Sequence, residues 1–229
     1  MLALFLAVLC LPVTIMLAVL VAATSRGPVF YKQVRVGFRG RPFWMVKFRT
    51  MVTQADKMDS SVTKNADSRI TRTGRVLRKT KLDELPQLWN VLKGDMSFVG
   101  PRPDVPEIVQ NYSEDMKKIL NIRPGITSNA SLLLRDEAGL LRYADNPDSA
   151  YEKILVPVKV GLAMEHLNRH PFRFDMAVLI KTAWVLTIGR LYITPEANPV
   201  VQKIMRDIAM LNREQRSGDA WTTAKGEFQ

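Results

Sequence analysis

The 229-residue chain carries 33 Lys and Arg against 22 Asp and Glu, a formal net charge of +11. Such a surplus points to an anionic partner (nucleic acid, anionic lipid or a phosphorylated substrate), and the length suits one catalytic domain with appended elements. The single cysteine, Cys10, excludes an internal disulfide, and nothing around it suggests redox or metal chemistry.

From Met1 to Ser25 there is no charged residue, and Leu, Val, Ala, Ile, Met and Phe fill most positions. As one helix this segment would be about 36 Å long, enough to cross a hydrocarbon core. It lacks the basic leader of a secretory signal peptide, and its apolar part is too long for one. Positive charge follows at Arg26, Lys32, Arg35, Arg39 and Arg41, which puts everything downstream on the cytoplasmic side. Pro12 removes one backbone hydrogen bond at the middle of the segment and predicts a kink. Spanning is the default for such a run; dipping in and returning is the alternative.

Residues 28–36 alternate and are rich in β-branched and aromatic side chains, so they read as a strand. Gly37-Phe38-Arg39-Gly40 reads as a turn and residues 42–50 as a second strand, giving a hairpin with Lys47 and Arg49 on one face. The polar residues 53–68 read as a loop or a short exposed helix. Arg69, Arg72, Arg75 and Arg78 recur every three residues and predict one broad basic face.

Two adjacent carboxylates, Asp83 and Glu84, follow this basic run. Pro86 is tolerated only in the first turn of a helix, so the pair is expected near the start of a helix continued by Leu88, Trp89 and Leu92 and ended by Gly94-Asp95. The helix dipole favours negative charge there, and the nearby guanidiniums are expected to keep Asp83 ionised. An ionised carboxylate facing a cationic pocket suits a reaction at phosphate, as nucleophile or metal ligand. By themselves the residues also read as an acidic helix cap with a surface ion pair.

Further on, the two prolines of Pro101-Arg102-Pro103 fix where Arg102 projects. Residues 105–120 suit an amphipathic helix, ended by Arg123-Pro124-Gly125, and residues 128–150 read as irregular. Residues 151–169 read as a helix broken around Pro157. Phe172 to Leu191 reads as a core helix or one lying in the membrane interface, with Trp184 and Tyr192 near its end. The tail after Pro195 is polar except for Val200, Ile204, Ile208 and Leu211, and its last residues are expected to be disordered. His166 and His170 are four apart but lack metal-binding company, so both read as structural. No phosphate-loop or dinucleotide-binding glycine motif occurs.

Several pieces occur together and in order in one known family. They are Gly27-Pro28-Val29-Phe30 leading to Gln33-x-Arg35-Val36-Gly37, then Lys47-Phe48-Arg49-Thr50-Met51. Next come Leu82-Asp83-Glu84-Leu85-Pro86-Gln87-Leu88-x-Asn90-Val91-Leu92 and Gly94-Asp95-Met96-Ser97-x-Val99-Gly100-Pro101-Arg102-Pro103. Arg123-Pro124-Gly125-Ile126-Thr127 completes the set. The chain resembles the monotopic polyprenyl-phosphate phosphoglycosyl transferases, bacterial sugar transferases of glycan assembly. The similarity covers roughly residues 12–187 and is most specific between Gly27 and Thr127.

The resemblance implies an α-rich α+β fold on the cytoplasmic face of the bacterial inner membrane. Residues 1–25 would form a re-entrant membrane helix broken at Pro12, residues 26–194 a catalytic domain, and residues 195–229 a tail. The domain would hold the β-hairpin and interfacial amphipathic helices. In the implied reaction Asp83 attacks the sugar-bearing phosphate of a UDP-sugar, releasing UMP, and polyprenyl (undecaprenyl) phosphate then takes the phosphosugar from the carboxylate. Matched residue by residue, Asp83 would be the nucleophile and Glu84, with Asp83 beside it, the Mg²⁺ contact. Lys47, Arg49, Arg78 and Arg102 would lie around phosphates, and Pro101 and Pro103 would help hold the nucleotide.

Two departures from the family pattern stand out. Leu11-Pro12 replaces its Ser-Pro step, and Ser128-Asn129-Ala130-Ser131 replaces its Gly-Trp-Ala-Gln, which leaves the sugar open. Competing readings are a membrane-bound phosphodiesterase or pyrophosphatase that activates water, and a membrane-anchored basic binding protein. Nucleic acid is not expected as a partner, because the adjacent carboxylates would repel a polyanion. A homodimer is compatible with the residues but not required by them.

Overall fold

A computed structural model describes residues 2–53, 55, 67–167, 171–187 and 198–226. Most of residues 53–68, the side chain of His166, His170, Tyr192, Pro195 and the last three residues lie outside the described residues.

Helix α1 (Leu2–Thr24) runs unbroken through Pro12. Pro12 leaves the Val8 carbonyl without its usual helical donor, and farther along Thr14 Oγ1 donates to the Cys10 carbonyl at 2.8 Å. Only Leu17 and Val21 of α1 are buried. They pack with Phe48 and Leu77, with Leu82 and Leu85 at the edge of the cluster. The second half of α1 is therefore part of the core beneath the Asp83 segment, while Leu4, Phe5, Val8 and Leu9 stay exposed.

Strands β1 (Phe30–Val36) and β2 (Pro42–Phe48) form the expected antiparallel hairpin, with Phe30 opposite Phe48. Directly opposed residues share a face. Tyr31 with Lys47, Gln33 with Met45 and Arg35 with Phe43 line one face; Lys32 with Val46 and Val34 with Trp44 line the other. On that second face α1, the hairpin and the helix after Glu84 enclose an apolar groove of about 690 Å³, with Trp44 and Trp89 exposed at its edge.

Helix α2 (Arg72–Thr80) is capped by Thr71, whose Oγ1 accepts from the Gly74 amide at 2.9 Å. Lys81, left-handed at φ 61°, redirects the chain into a 3₁₀ turn at Leu82–Glu84, and α3 (Gln87–Lys93) follows. Strand β3 (Ser97–Val99) pairs in parallel with β4 (Gly125–Thr127). A Cβ on Gly125 would lie 2.1 Å from the Gly100 amide nitrogen, so the crossing needs glycine there.

The single helix expected over 105–120 is instead α4 (Pro106–Gln110) and α5 (Glu114–Lys117) followed by a 3₁₀ turn. Ser113 starts the second helix by accepting from the Met116 amide, and Tyr112 turns inward. Residues 128–150, expected to be irregular, form α6 (Asn129–Leu133), α7 (Glu137–Leu141) and α8 (Pro147–Ala150). Each is set by a local cap (Ser128, Asp136, Asn146) and is too short to show periodicity.

The interruption expected at Pro157 takes the form of a π turn, Tyr151–Leu155, leading into α9 (Val156–Leu167). Helix α10 (Pro171–Thr187) buries Val178 and Val185, while Phe172, Met176, Ile180 and Trp184, spaced by four, form an exposed apolar stripe. Helix α11 (Pro199–Gly226) carries Val201, Ile204, Ile208 and Leu211 into a core shared with Leu134, Leu141, Ile154 and Leu155. The fold is mostly helical, with the hairpin and the short β3–β4 pair as its sheets among the described residues.

Candidate active site

Asp83 and Glu84 lie on the 3₁₀ turn before α3, not in its first turn, because Pro86 is the residue that precedes the helix. They are 7% and 9% exposed, which rules out a solvated surface cap. Glu84 Oε1 accepts from Arg102 Nη2 at 2.7 Å and meets Lys47 Nζ at 3.4 Å, and Oε2 lies 3.4 Å from Arg102 Nη1. Burial would raise the Glu84 carboxyl, but Arg102 and Lys47 more than reverse this and hold it well below the usual carboxylate range. Glu84 in turn holds the Arg102 guanidinium above its ordinary value. Burial and the Arg102 charge draw Lys47 down to about 7, against the opposing pull of Glu84.

Asp83 differs from its neighbour. Its Oδ1 is enclosed and has no hydrogen-bond partner. Burial, then the Glu84 charge, push its carboxyl up, with Lys47, Lys81 and Arg78 opposing. The guanidiniums expected to keep it ionised therefore act against a larger effect of burial. A raised pKa leaves a more basic carboxylate, and a better nucleophile, once ionised.

The arginine series does not form one face. Steps of three drift by about 60° per repeat on an α-helix, and Arg69 precedes α2 altogether. Arg69 is buried against Asp67 at 2.6 Å, Arg72 and Arg75 are exposed, and Arg78 reaches inward to donate from Nε to Thr50 Oγ1 at 2.8 Å. Lys47 and Arg49 diverge too, because β2 ends at Phe48. Arg49 Nη2 donates to the Ser25 carbonyl at 2.6 Å and to Ser25 Oγ at 2.7 Å, at the exit of α1. Lys47, Arg78 and Arg102 thus gather around the carboxylates, whereas Arg49 ties α1 to the hairpin.

The family model for bacterial sugar transferases matches residues 1–189. The chain belongs to the bacterial sugar transferase family. It is 39% identical over 181 residues to the UDP-N-acetylgalactosamine-undecaprenyl-phosphate N-acetylgalactosaminephosphotransferase of Aeromonas hydrophila, covering 78% of this chain and 40% of that one. It is 43% identical over 178 residues to a UDP-glucose:undecaprenyl-phosphate glucose-1-phosphate transferase of Xanthomonas campestris pv. campestris, covering 75% and 34%. An uncharacterized sugar transferase of Bacillus subtilis is 44% identical over 124 residues, covering 54% and 60%. The chain thus spans less than two thirds of each of these relatives, and the names of the first two differ in the sugar.

The Arg102 loop is held from behind by groups to which the sequence analysis gave no role at the site. Arg35 Nη1 donates to the Pro103 carbonyl at 3.1 Å, and the Val36 amide to the Asp104 carbonyl at 3.0 Å. The buried Asp104 carboxylate accepts from Tyr112 at 2.8 Å and from Tyr151 at 3.2 Å. Lys159 Nζ donates to Tyr151 Oη at 3.1 Å and pairs with Glu137 at 3.1 Å. Pro101 and Pro103, both buried, stand on either side of Arg102 as expected. These partners come from separate elements, so no spacing in the chain signals them.

Among the described residues no group of three or more His, Cys, Asp and Glu could cage a metal. Mg²⁺ is ordinarily held by one or two carboxylates, with substrate phosphates completing its shell. The unpartnered Asp83 Oδ1 and the loosely engaged Glu84 Oε2 are oxygen donors of that kind, so the residues present fit the ion.

Proposed function

We propose that this chain transfers a sugar 1-phosphate from a UDP-sugar to polyprenyl phosphate, with release of UMP, through a covalent intermediate on Asp83. The observation that carries this reading is a buried carboxylate of raised basicity set among Lys47, Arg78 and Arg102. The reactions named for the relatives support it, and the differing sugars in those names leave the donor's sugar open.

Asp83 attacks the sugar-bearing phosphorus, the bond to UMP breaks, and UMP departs with the electron pair. Phosphoryl transfer demands little covalent help beyond alignment and charge stabilisation, which the fixed cations provide. Arg102, aligned by Glu84 and clamped between prolines, offers a planar fork to phosphate oxygens. Lys47 adds a point charge from the hairpin. Glu84 and Asp83 would hold Mg²⁺, which would neutralise charge on the phosphates. In the second step a phosphate oxygen of the polyprenyl acceptor attacks the same phosphorus and the Asp83 carboxylate leaves.

The membrane reading belongs to the same proposal: α1 enters from the cytoplasmic face and does not cross. Leu17 and Val21 belong to the core beneath the site, which leaves residues 2–13 outside that core cluster. That stretch is about 18 Å long against a hydrocarbon core of about 30 Å. The exposed stripe on α10, and Trp44 and Trp89, suit the interfacial region.

The test is a panel of UDP-sugars, with and without undecaprenyl phosphate, on the wild type and on Asp83→Asn. The expected result is acceptor-dependent turnover, a UMP burst without acceptor, and loss of both in Asp83→Asn. Free sugar phosphate formed steadily without acceptor would instead assign a phosphodiesterase. Full turnover by Asp83→Asn would sink the covalent mechanism.

A further inference from the structure

The groove between α1, the hairpin and α3 lies on the hairpin face turned away from Glu84 and has no part in the reaction as described. Its volume of about 690 Å³ is in the range of sites that hold a small molecule. Ala7 and Leu11 of α1, Phe30 and Val46 of the hairpin, and Leu88 and Leu92 of α3 give it apolar walls.

The polar side chains of the lining fall into two groups. Thr14 and Asn90 are already engaged. Thr14 Oγ1 donates to the Cys10 carbonyl, and the Asn90 amide bonds to the Trp44 carbonyl at 2.7 Å and the Val46 amide at 3.1 Å. What is left for a ligand is donors alone: the ammoniums of Lys32 and Lys93 and the indole N–H groups of Trp44 and Trp89. Lys32 is exposed and meets no acid among the described residues. Lys93 lies 3.5 Å from Asp95, with its own side chain half exposed. Apolar walls with only cationic and neutral donors suit an anionic amphiphile, its chain between the walls and its oxygens on the lysines.

The place of the groove in the fold selects the amphiphile. Ala7 and Leu11 belong to the part of α1 outside the core cluster, and Trp44 and Trp89 are 59% and 61% exposed. The groove therefore opens where the chain meets the membrane interface. Strand register excludes the reacting headgroup of the acceptor. Lys32 stands opposite Val46 on one face of the hairpin, whereas Lys47, opposite Tyr31, stands on the other, beside Glu84. A phosphate held by Lys32 is not at the carboxylates.

We propose that this groove binds an anionic glycerophospholipid of the surrounding leaflet, at a place separate from the reacting polyprenyl phosphate. One acyl chain lies between α1, β2 and α3, and the lipid phosphate accepts from Lys32 and Lys93. The inference rests on the shallow membrane placement of α1 proposed above and not on the transfer chemistry. A lipid that binds only the folded chain stabilises it by mass action. Here it braces the strand that carries Lys47 against the helix that follows Glu84.

The experiment reads Trp44 and Trp89 directly. The chain has four tryptophans, so Trp184→Phe and Trp221→Phe leave these two as the only fluorescent reporters of their kind. This full chain is placed in nanodiscs of phosphatidylglycerol and phosphatidylcholine in equal parts, with bromine on the acyl chains of one lipid or the other. Bromine on phosphatidylglycerol is expected to quench more strongly, with a preference of about five- to thirtyfold, because each basic residue near an anionic lipid contributes about fivefold. Lys32→Gln with Lys93→Gln should bring the preference to within about twofold. Both positions are exposed, and surface changes of this kind leave the fold intact. Arg72→Gln with Arg75→Gln removes two exposed charges from α2 and should leave the preference as it was. Equal quenching by the two brominated lipids, or an equal loss of preference in the Arg72 and Arg75 variant, overturns the lipid site and leaves the transferase reading standing. Relief of the quenching by undecaprenyl phosphate, at concentrations that saturate turnover, assigns the groove to the acceptor and also overturns it. No quenching by either lipid overturns the shallow placement of α1 and this inference together.

Discussion

Arg102 grips Glu84 with both ends of its fork, Nη2 to Oε1 at 2.7 Å and Nη1 to Oε2 at 3.4 Å. The unequal lengths leave Oε2 the looser of the two oxygens. Glu84 thereby orients the guanidinium while keeping one oxygen that can turn to another ligand. The two residues are eighteen positions apart, and the loop that delivers Arg102 is fixed by Asp104, Tyr112 and Tyr151.

Arg102→Lys keeps the charge and loses the fork. Removing a preorganised donor from a site where charge develops lowers kcat by about a hundredfold or more, and that is the expected fall in UMP release. The melting temperature should change little, because Glu84 retains a cationic neighbour. Arg102→Ala should lose both activity and stability, since it leaves Glu84 buried with Lys47 alone; breaking a buried pair costs about 3–5 kcal/mol. Thermal melts beside the UMP assay separate the two effects.

Lys47 makes the site sensitive to pH. With burial and Arg102 drawing its ammonium down to about 7, the cationic form is present below that pH and is lost as pH rises through it. Phosphate binding favours the cation, so UMP affinity should fall above about pH 7, by up to about tenfold per pH unit if one proton is linked. Lys47→Arg stays charged throughout and should flatten the profile. Calorimetric titration of UMP across this range is the check, and an equally steep slope in Lys47→Arg would move the effect to another group.

Gly74 tests whether α2 is placed by close contact. A Cβ there would sit 2.0 Å from the Thr50 carbonyl oxygen, a backbone atom that cannot rotate away. Alanine in a helix interior normally gains about 0.5–1 kcal/mol over glycine, but overpacking costs about 1–3 kcal/mol, so Gly74→Ala should destabilise on balance. It should also lower activity, because Thr50 holds Arg78 through the 2.8 Å bond. Circular dichroism melts and UMP release measure both.

What the chain revealed of itself follows from where each signal resides. The hairpin was legible because alternation is local, and it put Lys47 on the site face. It misled for Arg49, since alternation does not say that β2 stops at Phe48. The residues of Asp83-Glu84 alone allowed a helix cap, because nothing marks Lys81 as left-handed and only that turn buries the pair. The family resemblance is what pointed to the catalytic reading. Asp104 stayed silent, because it is held by Tyr151, forty-seven positions away.

The last prediction concerns α1. If the helix crossed the membrane in full, Leu17 and Val21 would have to leave Phe48 and Leu77, which are buried beneath them. Uncovering those two side chains to water costs about 1.5–3 kcal/mol each, whereas the apolar residues 2–13 lose nothing by staying in one leaflet. A cysteine introduced by Leu2→Cys, with Cys10→Ser, should therefore stay protected from a membrane-impermeant maleimide in intact cells and react once detergent removes the bilayer. The opposite pattern would mean a spanning helix, and with it a catalytic core in which Leu17 and Val21 do not cover Phe48 and Leu77. Leu17→Ala adds an internal check, because it weakens the anchor without changing the length of the free segment. It should lower the melting temperature, by about 2–5 kcal/mol of stability, and leave the labelling pattern unchanged, since about 18 Å of helix is still too short to reach the far face.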